Sequence, residues 1–399
     1  MLPLLLLTAS GSPARVGCKG AMGKGYSTSG DVLTRTRDGQ DLNKVWADYK
    51  AALIEFNNAR QPMVDLLVSP VNDVIEDLVQ PGANRFEKAS EFGMPQSIRT
   101  APAVTQRAYP FEWYDMRAGY TFQFLVGGNS GQAVTTAQLD SIMNSAMEAD
   151  NALLFEQVMK ALFNSANRSA VVGGTPYTVT ALYNADSSFI PAYKGLSHDG
   201  STHTHYLASG AATLDSTDIS DLAGHVEHHG HTRAEGYNIV LMVNPAEADV
   251  IATFRRGVVN NNGQTSLYDF IPSSGNNFNL MLPPGYTLVG GLAPNQFAGL
   301  EVVGSWGPYL VVKDYQIPAG YVVAVATAGN STSTNVIGLR EHADPTLRGL
   351  VLRPGNNNGY PLIDSYYARG LGTGVRQRGG AAIMKVTAAA YTVPTTMAW

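Results

Sequence analysis

The sequence has little charge, one cysteine and no long hydrophobic run, and each shortage excludes a class of protein. Charged residues make up 15% of the 399 residues, against about 25% in an average soluble chain. Because 44% of the residues are hydrophobic, the chain is predicted to fold and to bury much of its surface. The single cysteine, Cys18, excludes an internal disulfide and a four-thiolate zinc site, and it fits a reducing compartment.

The apolar run at the N-terminus is too short to span a membrane. Residues 1–7 read MLPLLLL, whereas a membrane helix needs about 20 apolar residues. A secretory signal would add a basic start and a longer apolar core. No membrane partner is therefore expected. An exposed leucine patch is unfavourable on a free monomer, so this segment is predicted to dock on a neighbouring subunit or on its own subunit.

The net charge of −5 is unevenly distributed along the chain. Residues 1–40 contain five basic and two acidic residues, and residues 340–399 contain seven basic and three acidic residues. Both ends are thus modestly basic and the middle is acidic. A nucleic-acid reader usually concentrates its basic residues on one face. The pattern allows only weak, non-specific contact with DNA.

The common phosphate, dinucleotide and hydrolase motifs are incomplete. Residues 17–30, GCKGAMGKGYSTSG, lack the P-loop spacing, and no GxSxG elbow is present. Gly370, Gly372 and Gly374 lack the full dinucleotide fingerprint and are predicted to form a turn. No catalytic residue and no cofactor are predicted, and the chain is interpreted as a protein that is not an enzyme.

Histidines are concentrated in two short segments, HDGSTHTH at residues 198–205 and GHVEHHGH at residues 224–231. On a helix predicted to start near Asp218, His225 and His229 share a face at i and i+4. This spacing suits zinc or another metal that prefers imidazole. The order HVEHH differs from the metalloprotease motif HExxH, so a solvated histidine-rich helix end and loop remains the alternative. The metal candidates are His225, His228, His229 and His231.

Helices are predicted in the first half of the chain. Asp41 caps the first, whose apolar residues follow a spacing of three and four. A second, short helix is predicted over residues 69–80, with proline at its first position. The third lacks Gly and Pro over residues 136–164 and opens with Thr135 and Gln138 as in a capping box. At about 1.5 Å per residue it spans about 43 Å, the length of a spine across a flat domain.

Two segments of the first half look extended. Residues 8–40 are rich in Gly, Ser and Thr and are predicted to form an arm. Residues 85–128 are interrupted by prolines and crowded with aromatic residues in their second half. A two-stranded ribbon is marginal alone, so this excursion needs a partner surface. The candidate inter-subunit contacts are Leu4, Leu5, Leu6, Phe92, Phe111, Trp113, Tyr114, Tyr120, Phe122 and Phe124.

The second half of the chain mixes strands and helices. Residues 237–243 are predicted to form a buried strand, followed by Asn244 as a cap, Pro245 at the first helical position and Gly257 as the stop. Further strands are predicted over residues 300–306, 309–312, 321–326, 336–339, 350–352 and 381–393.

This order of elements resembles the major capsid proteins of tailed bacteriophages, which have the Hong Kong 97 fold. Residues 119–163 are similar to the extended-loop strand and spine helix of that family. Residues 238–257, NIVLMVNPAEADVIATFRRG, are similar to its axial-domain strand, Asn-Pro turn and helix. Residues 299–325 and 360–386 are similar to its closing strands. The resemblance covers most of the chain between residues 42 and 393 and carries no invariant catalytic motif.

The resemblance implies an α+β fold of the Hong Kong 97 type. It has an N-terminal arm, an extended loop (E-loop), a peripheral domain with a long spine helix, and an axial domain. The implied boundaries are the arm at 1–41, the N-terminal helices at 42–84, the extended loop at 85–132, the peripheral domain at 133–180 and 315–365, and the axial domain at 181–314 and 366–399.

The resemblance also implies self-assembly into hexamers and pentamers of an icosahedral head shell around packaged double-stranded DNA. The implied partners are further copies of the chain, a portal at one vertex, separate scaffolding and decoration proteins, and DNA without sequence preference. The implied location is the virion, after assembly in the cytoplasm of the bacterial host. Many relatives carry a long charged scaffold segment that a protease removes, but the arm here is short and sparsely charged. No such processing is expected.

The sequence leaves two alternatives open. An encapsulin-like shell of a protein nanocompartment shares the fold but would enclose protein instead of DNA. A metal-dependent hydrolase built on the histidine segments is the enzyme alternative, and it lacks a recognisable general base.

Overall fold

The computed structural model describes residues 35–59, 61–80, 103–116, 134–273, 292–353 and 365–397. They fall into two compact units. The first comprises the described residues of Met1–Ala59, Trp113–Asp150 and Leu350–Arg369. The second comprises those of Arg60–Glu112, Asn151–Gly349 and Gly370–Trp399. No helix in the described part of the chain is long and apolar enough to cross a membrane.

The described residues combine helices and strands, which confirms the α+β class. The α-helices are α1 (Leu42–Asn58), α2 (Pro62–Leu67), α3 (Thr136–Phe163), α4 (Ser216–Glu227) and α5 (Pro245–Ile251). The strands are β1 (Val68–Val71), β2 (Ile75–Gln80), β3 (Ala103–Ala108), β4 (Glu112–Met116), β5 (Arg168–Val172), β6 (Thr175–Val179), β7 (Tyr206–Ala208), β8 (Asn238–Val243), β9 (Phe270–Pro272), β10 (Gln296–Phe297), β11 (Leu300–Trp306), β12 (Tyr309–Lys313), β13 (Tyr321–Thr327), β14 (Ile337–Arg340), β15 (Leu350–Arg353), β16 (Tyr366–Val375) and β17 (Ala381–Lys385).

Helix caps confirm three predicted helix starts. The Asp41 carboxylate accepts the N–H of Asn43 at 2.8 Å at the start of α1. The Gln138 side chain accepts the N–H of Thr135 at 3.0 Å, as predicted for the long helix α3. The Asn244 side chain caps α5, with proline at its first turn. Such caps satisfy backbone donors that have no partner inside the helix.

In the first unit, α1 packs with the described part of α3 up to Asp150 and with β15. Asn57 fixes α1 to β15 through two reciprocal bonds, donating to the Leu350 carbonyl at 2.9 Å and accepting the Leu350 N–H at 2.8 Å. An ion pair joins Arg369 to Asp150 at 2.9 Å, with side chains only 6% and 3% exposed. The buried apolar cluster is Leu42, Val45, Trp46, Tyr49, Leu53, Val134, Leu139, Met143, Ala146, Leu350, Leu352 and Tyr367.

The second unit is built on an eight-stranded mixed sheet. Its strand order is β10-β11-β12-β8-β13-β17-β7, with β9 beside β11. Strand β8 is central and pairs in parallel with β12 and antiparallel with β13. Alternate residues of β8, at Ile239, Leu241 and Val243, share one buried cluster with apolar residues of α4 and α5. Since alternate side chains of a strand point to one face, these helices cover that face of the sheet.

The predicted second helix over residues 69–80 is wrong. Helix α2 lies earlier, with Pro62 in its first turn, and the predicted residues instead form strands β1 and β2. Strand β1 pairs in parallel with β14 at one edge of its sheet. Pro70 is compatible with that position, because a proline in a sheet is tolerated on an edge strand. Long-range pairing therefore overrides the local cap-and-proline pattern.

The predicted glycine turn at residues 370–374 is also wrong, because these residues lie inside strand β16. A Cβ added at Gly372 would lie 2.5 Å from the Pro110 carbonyl oxygen, and one at Gly374 would lie 2.7 Å from the Ala108 carbonyl oxygen. Glycine is thus needed here for close approach of two backbone segments, which is the other common role of glycine in strands.

The last predicted strand is shorter than expected. Residues 381–393 were predicted as one strand, but β17 ends at Lys385. Its partner β13 begins at Tyr321, which is paired with Lys385. Residues after Lys385 therefore have no partner on β13. A final bond from the Val386 N–H to the Gly320 carbonyl closes the ladder at 2.8 Å.

A buried arginine in the second unit fixes a loop by hydrogen bonding. The Arg378 guanidinium donates to the Ala181 carbonyl at 2.7 Å and to the Asp186 carboxylate at 2.8 Å. Burial acts to raise the pKa of Asp186, but hydrogen bonds from Ser188, Asn167 and Arg378 outweigh it and hold the pKa well below 3.8. The folded state therefore favours the ionised carboxylate.

The lowered pKa of Asp186 predicts that the folded subunit loses stability in acid. Because its pKa is lower in the folded state, Asp186 stabilises the fold fully above about pH 5 and progressively less as the pH falls through the unfolded pKa towards its native pKa. We expect the urea midpoint of the unassembled subunit to drop between pH 5 and pH 3, and Asp186→Asn to reduce that drop. An identical pH dependence in the variant and the wild type would contradict the assignment.

Candidate functional site

Two features outside the main cores are candidates for function: an apolar surface on the strands that follow α2, and a partly buried histidine cluster. Of the predicted contact residues, the structure describes Phe111, Trp113 and Tyr114. The others, Leu4, Leu5, Leu6, Phe92, Tyr120, Phe122 and Phe124, lie outside the described residues.

The described aromatic residues are only partly covered. Trp113 is 48% exposed, and the Arg353 guanidinium lies 6.0 Å from its ring centroid. Phe111 is half-buried, with the Arg340 guanidinium 5.3 Å from its ring centroid. Cations over aromatic faces are weakly attracted, so these rings are partly ordered while keeping apolar area available.

Strands β2 and β3 form a separate two-stranded ribbon. Val79 and Val104 are directly opposite each other in its register. Their side chains are 67% and 59% exposed. A cross-strand pair of exposed valines is an apolar contact surface on an element that is marginally stable by itself. We call these two residues the valine pair.

The histidine cluster joins the segment before β7 to the end of α4. The Asp215 side chain and Asp218 form a capping box at the start of α4. The helix ends at Glu227, and His228 follows as its C-cap residue. Gly230 then turns the chain with a φ of +93°, a backbone conformation that residues other than glycine rarely adopt. The local sequence thus places two histidines at a helix end that immediately reverses.

The other two histidines are held by the sheet. The His205 N–H donates to the Tyr183 carbonyl at 2.7 Å, and the His205 carbonyl accepts the Ile383 N–H at 2.8 Å. This backbone is therefore an extension of the pairing between β7 and β17. His203 lies two residues earlier. Four imidazoles, those of His203, His205, His228 and His229, each place one ligand atom within 4.8 Å of the others.

The ring nitrogens of the cluster converge on one atom. The Nε2 of His203 lies 2.9 Å from that of His229, 3.1 Å from that of His205 and 3.3 Å from that of His228. Gly379 makes room for this arrangement, since a Cβ added there would lie 2.8 Å from the His229 ring.

Burial keeps the clustered rings neutral. Burial first, and neighbouring histidines second, lower the pKa of His203 to about 4, of His228 to about 3 and of His229 to about 2. The same causes hold the pKa of the fully buried His205 well below 6.5. At neutral pH each ring therefore presents one nitrogen with a free electron pair.

The four sequence candidates for a metal site separate in the structure. His228 and His229 belong to the four-ligand group. The His225 ring stacks on that of His203 with centroids 5.7 Å apart, and its Nδ1 bonds the Asp221 carbonyl at 2.8 Å. His231 packs instead against Tyr237, with centroids 4.8 Å apart. The predicted i, i+4 pair is also altered, because α4 ends before His229.

The residues absent from the sequence candidates are His203 and His205. Their HTH spacing places both on one face of an extended segment, since side chains alternate along a strand. That spacing was the available signal. The spacing does not contain the path of residues 206–227, which brings this segment against the end of α4.

The chain is similar to several solved structures. A solved structure from Mycobacterium phage Patience is 39% identical, covers 95% of this chain and 98% of its own, and has a TM-score of 0.72. The capsid of a native GTA particle is 15% identical, covering 82% and 91%, with a TM-score of 0.43. The holo-SrpI encapsulin complex from Synechococcus elongatus PCC 7942 is 13% identical, covering 83% and 89%, with a TM-score of 0.37. No protein-family profile and no curated protein matches the chain.

An identity of 39% along nearly the whole of both chains makes this chain a structural protein of a phage particle. It belongs to the major capsid proteins of tailed bacteriophages, with the Hong Kong 97 fold, as the resemblance of its sequence implies. It is a component of the virion shell.

Proposed function

We propose that the chain forms hexamers and pentamers that close an icosahedral head shell around packaged double-stranded DNA. The observation that carries the proposal is the 39% identity and TM-score of 0.72 to a phage structure along 95% of the chain. Its role in the particle is structural, with no catalytic step. The portal at one vertex and separate scaffolding and decoration proteins complete the proposed partners, and assembly takes place in the host cytoplasm.

The sequence composition supports extensive interfaces. Permanent interfaces are apolar and commonly bury about 2,000–5,000 Å². A charged fraction of 15% is what such a subunit needs, because surface that a monomer would solvate is covered by its neighbours. The modestly basic ends of the chain are proposed to contact neighbouring subunits or the phosphate backbone of packaged DNA, in both cases without sequence preference.

The ribbon of β2 and β3 is proposed as the described base of the extended loop. Its valine pair and the exposed ring of Trp113 would lie on an adjacent subunit. Head-to-tail contacts of this kind generate closed rings. The arm at 1–41, the peripheral domain at 133–180 and 315–365, and the axial domain at 181–314 and 366–399 keep their proposed roles in that arrangement.

Electron microscopy tests the proposed function. Expression of the whole chain is expected to give closed shells or six-membered and five-membered rings in negative stain, whereas a monodisperse monomer would contradict the proposal. Nuclease treatment of native particles then separates two shells of the same fold. Protected double-stranded DNA supports the capsid, and a protected protein cargo without DNA supports the encapsulin-like alternative. Hydrolysis by the monomer would favour the histidine-dependent hydrolase.

The valine pair gives a sharper assembly prediction. The double substitution Val79→Lys with Val104→Glu replaces the apolar surface by an opposite-charge cross-strand pair, which keeps the ribbon paired. Because both sites are exposed, we expect the free energy of unfolding to change by no more than about 0.5 kcal/mol. Shell formation, measured by sedimentation and negative stain, is expected to be lost.

The control keeps the shape and the apolar character of the surface. Val79→Ile with Val104→Ile retains two β-branched side chains and is expected to form shells as the wild type does. Normal shells from the charged variant would exclude the valine pair from the assembly interface.

A further inference from the structure

The ring nitrogens of the histidine cluster cannot all be paired by hydrogen bonds among themselves. A neutral imidazole nitrogen either donates one hydrogen or accepts one in the plane of its ring. The Nε2 of His203 nevertheless faces three other Nε2 atoms at 2.9–3.3 Å. At most one of these contacts is a well-directed hydrogen bond. The remaining close approaches bring electron-rich nitrogens together, and a shared cation would make all of them favourable.

One tautomer in the cluster is fixed by the backbone. The Nδ1 of His205 lies 2.6 Å from the Ala381 carbonyl oxygen. A carbonyl only accepts, so Nδ1 carries the hydrogen and Nε2 keeps its electron pair towards the cluster. Ligating histidines typically donate their other ring N–H to a carbonyl or carboxylate, which orients the ring and raises its basicity. His205 therefore has the outer hydrogen bond of a metal ligand.

The spacing of the nitrogens matches a tetrahedral ion. With metal–nitrogen bonds of about 2.0–2.1 Å, the ligand atoms of a tetrahedral zinc site lie about 3.3–3.4 Å apart. The three separations from His203 are 2.9, 3.1 and 3.3 Å. All four ligand atoms lie within 4.8 Å of one another. Small ring movements around a central ion would give the regular geometry.

We propose that His203, His205, His228 and His229 bind a divalent transition-metal ion of the zinc class in a structural site. Four imidazoles suit zinc, nickel, cobalt or copper and are poor ligands for calcium or magnesium. Four protein ligands fill a tetrahedral site, so no open position remains for a substrate. The ion would join the segment before β7 to the end of α4 within the second unit.

Besides His225, two further rings lie beside this site. The Tyr183 ring lies 5.1 Å from the His229 ring and 5.6 Å from the His205 ring, centroid to centroid. The His198 ring lies 4.3 Å from that of His228, and its buried Nε2 has no hydrogen-bond partner in the described residues. The Tyr183 ring and the His198 imidazole therefore both lie beside the ligand histidines.

Metal binding by the whole chain tests the proposal. Chelator-treated protein titrated with Zn²⁺ is expected to bind about one equivalent by calorimetry, to retain it through gel filtration, and to melt at a higher temperature with zinc than without. Co²⁺ is expected to give the intense visible absorption of a tetrahedral site. Absence of Zn²⁺ and Ni²⁺ binding heat, together with no retained metal by mass spectrometry, would overturn it.

Variants assign the ligands. His203→Gln and His229→Gln are each expected to weaken Zn²⁺ binding at least about tenfold and to abolish the zinc-dependent rise in melting temperature. The control is His342→Gln, the one histidine outside the two histidine segments, which is expected to bind as the wild type does. Equal losses in all three variants would contradict the assignment. If a ligand variant fails to fold, by circular dichroism, the titration of the wild-type protein still decides. Shell formation without metal binding would overturn the metal site alone, since the two proposals rest on different observations.

Discussion

Replacing Trp306 by alanine is expected to lower the free energy of unfolding by about 3–5 kcal/mol, the range for large aromatic residues removed from a core. Trp306 lies on β11 and is fully buried. Its Nε1–H donates to the Ser266 hydroxyl at 3.1 Å, and its ring contacts Tyr268 edge-on with centroids 5.1 Å apart. Truncation removes this packing and leaves a cavity beside a polar group. Urea unfolding of the unassembled subunit, followed by circular dichroism, measures the loss.

A tryptophan of the surface supplies the matched control. Trp113→Ala removes the same side chain where it is 48% exposed, and the expected change is less than about 1 kcal/mol. Comparable destabilisation by the two substitutions would show that the cluster around Trp306 does not form the core of the sheet.

Replacing Asp150 by alanine is expected to cost about 3–5 kcal/mol, because it leaves the buried Arg369 guanidinium without its carboxylate. A guanidinium nitrogen of Arg369 lies 2.9 Å from a carboxylate oxygen of Asp150, and both side chains are almost fully buried. In contrast, replacing both residues by apolar side chains of similar volume, as in Asp150→Leu with Arg369→Met, is expected to recover most of the loss. The same denaturation measurement distinguishes these outcomes.

The control for this pair lies on the same helix. Lys160 and Glu156 form an i, i+4 ion pair at 2.7 Å, in which the Glu156 side chain is 47% exposed. Exposed pairs of this kind contribute about 0.3–0.5 kcal/mol, so Glu156→Ala should have a small effect. If Asp150→Ala were equally mild, the buried charge of Arg369 would have to be compensated by other groups.

Elements with strong local signals were predictable from the sequence. The long helix α3 was confirmed to within a residue at its end, because Thr135 and Gln138 define its start and no glycine or proline interrupts it. The predicted strand and the helix that follows it are also confirmed, because Asn244 and Pro245 mark the start of the helix. Caps and hydrophobic periodicity are properties of neighbouring residues, and they need no knowledge of the fold.

Elements defined by distant partners were not predictable. Pro70 gave a helix-start pattern, yet its segment pairs with residues near Leu339. Gly372 looked like a turn residue, yet it permits contact with the Pro110 backbone. In both cases the deciding partner lies more than 200 residues away in the sequence, so no local window contains it.

The histidine site was predictable in part. The number and crowding of histidines indicate a site at residues 224–231, and two of the four grouped residues lie there. The sequence does not assign His203 and His205 to the site, because it shows their spacing and not the fold that brings them to the end of α4. Tertiary packing decides which histidines come together, and the spacing of residues along the chain does not show that packing.

The parallel pairing of β1 with β14 cannot form until late in the synthesis of the nascent chain. It joins residues 68–71 to residues 337–340, so the ribosome must add about 270 residues, at about 5–20 residues per second, before the partner strand exists. For roughly 15–50 s the β1 edge has no native neighbour. Strand edges left open in this way favour intermolecular pairing. The subunit therefore completes the sheet that contains β1 late in synthesis, which favours protection of that edge by a chaperone until the chain is released.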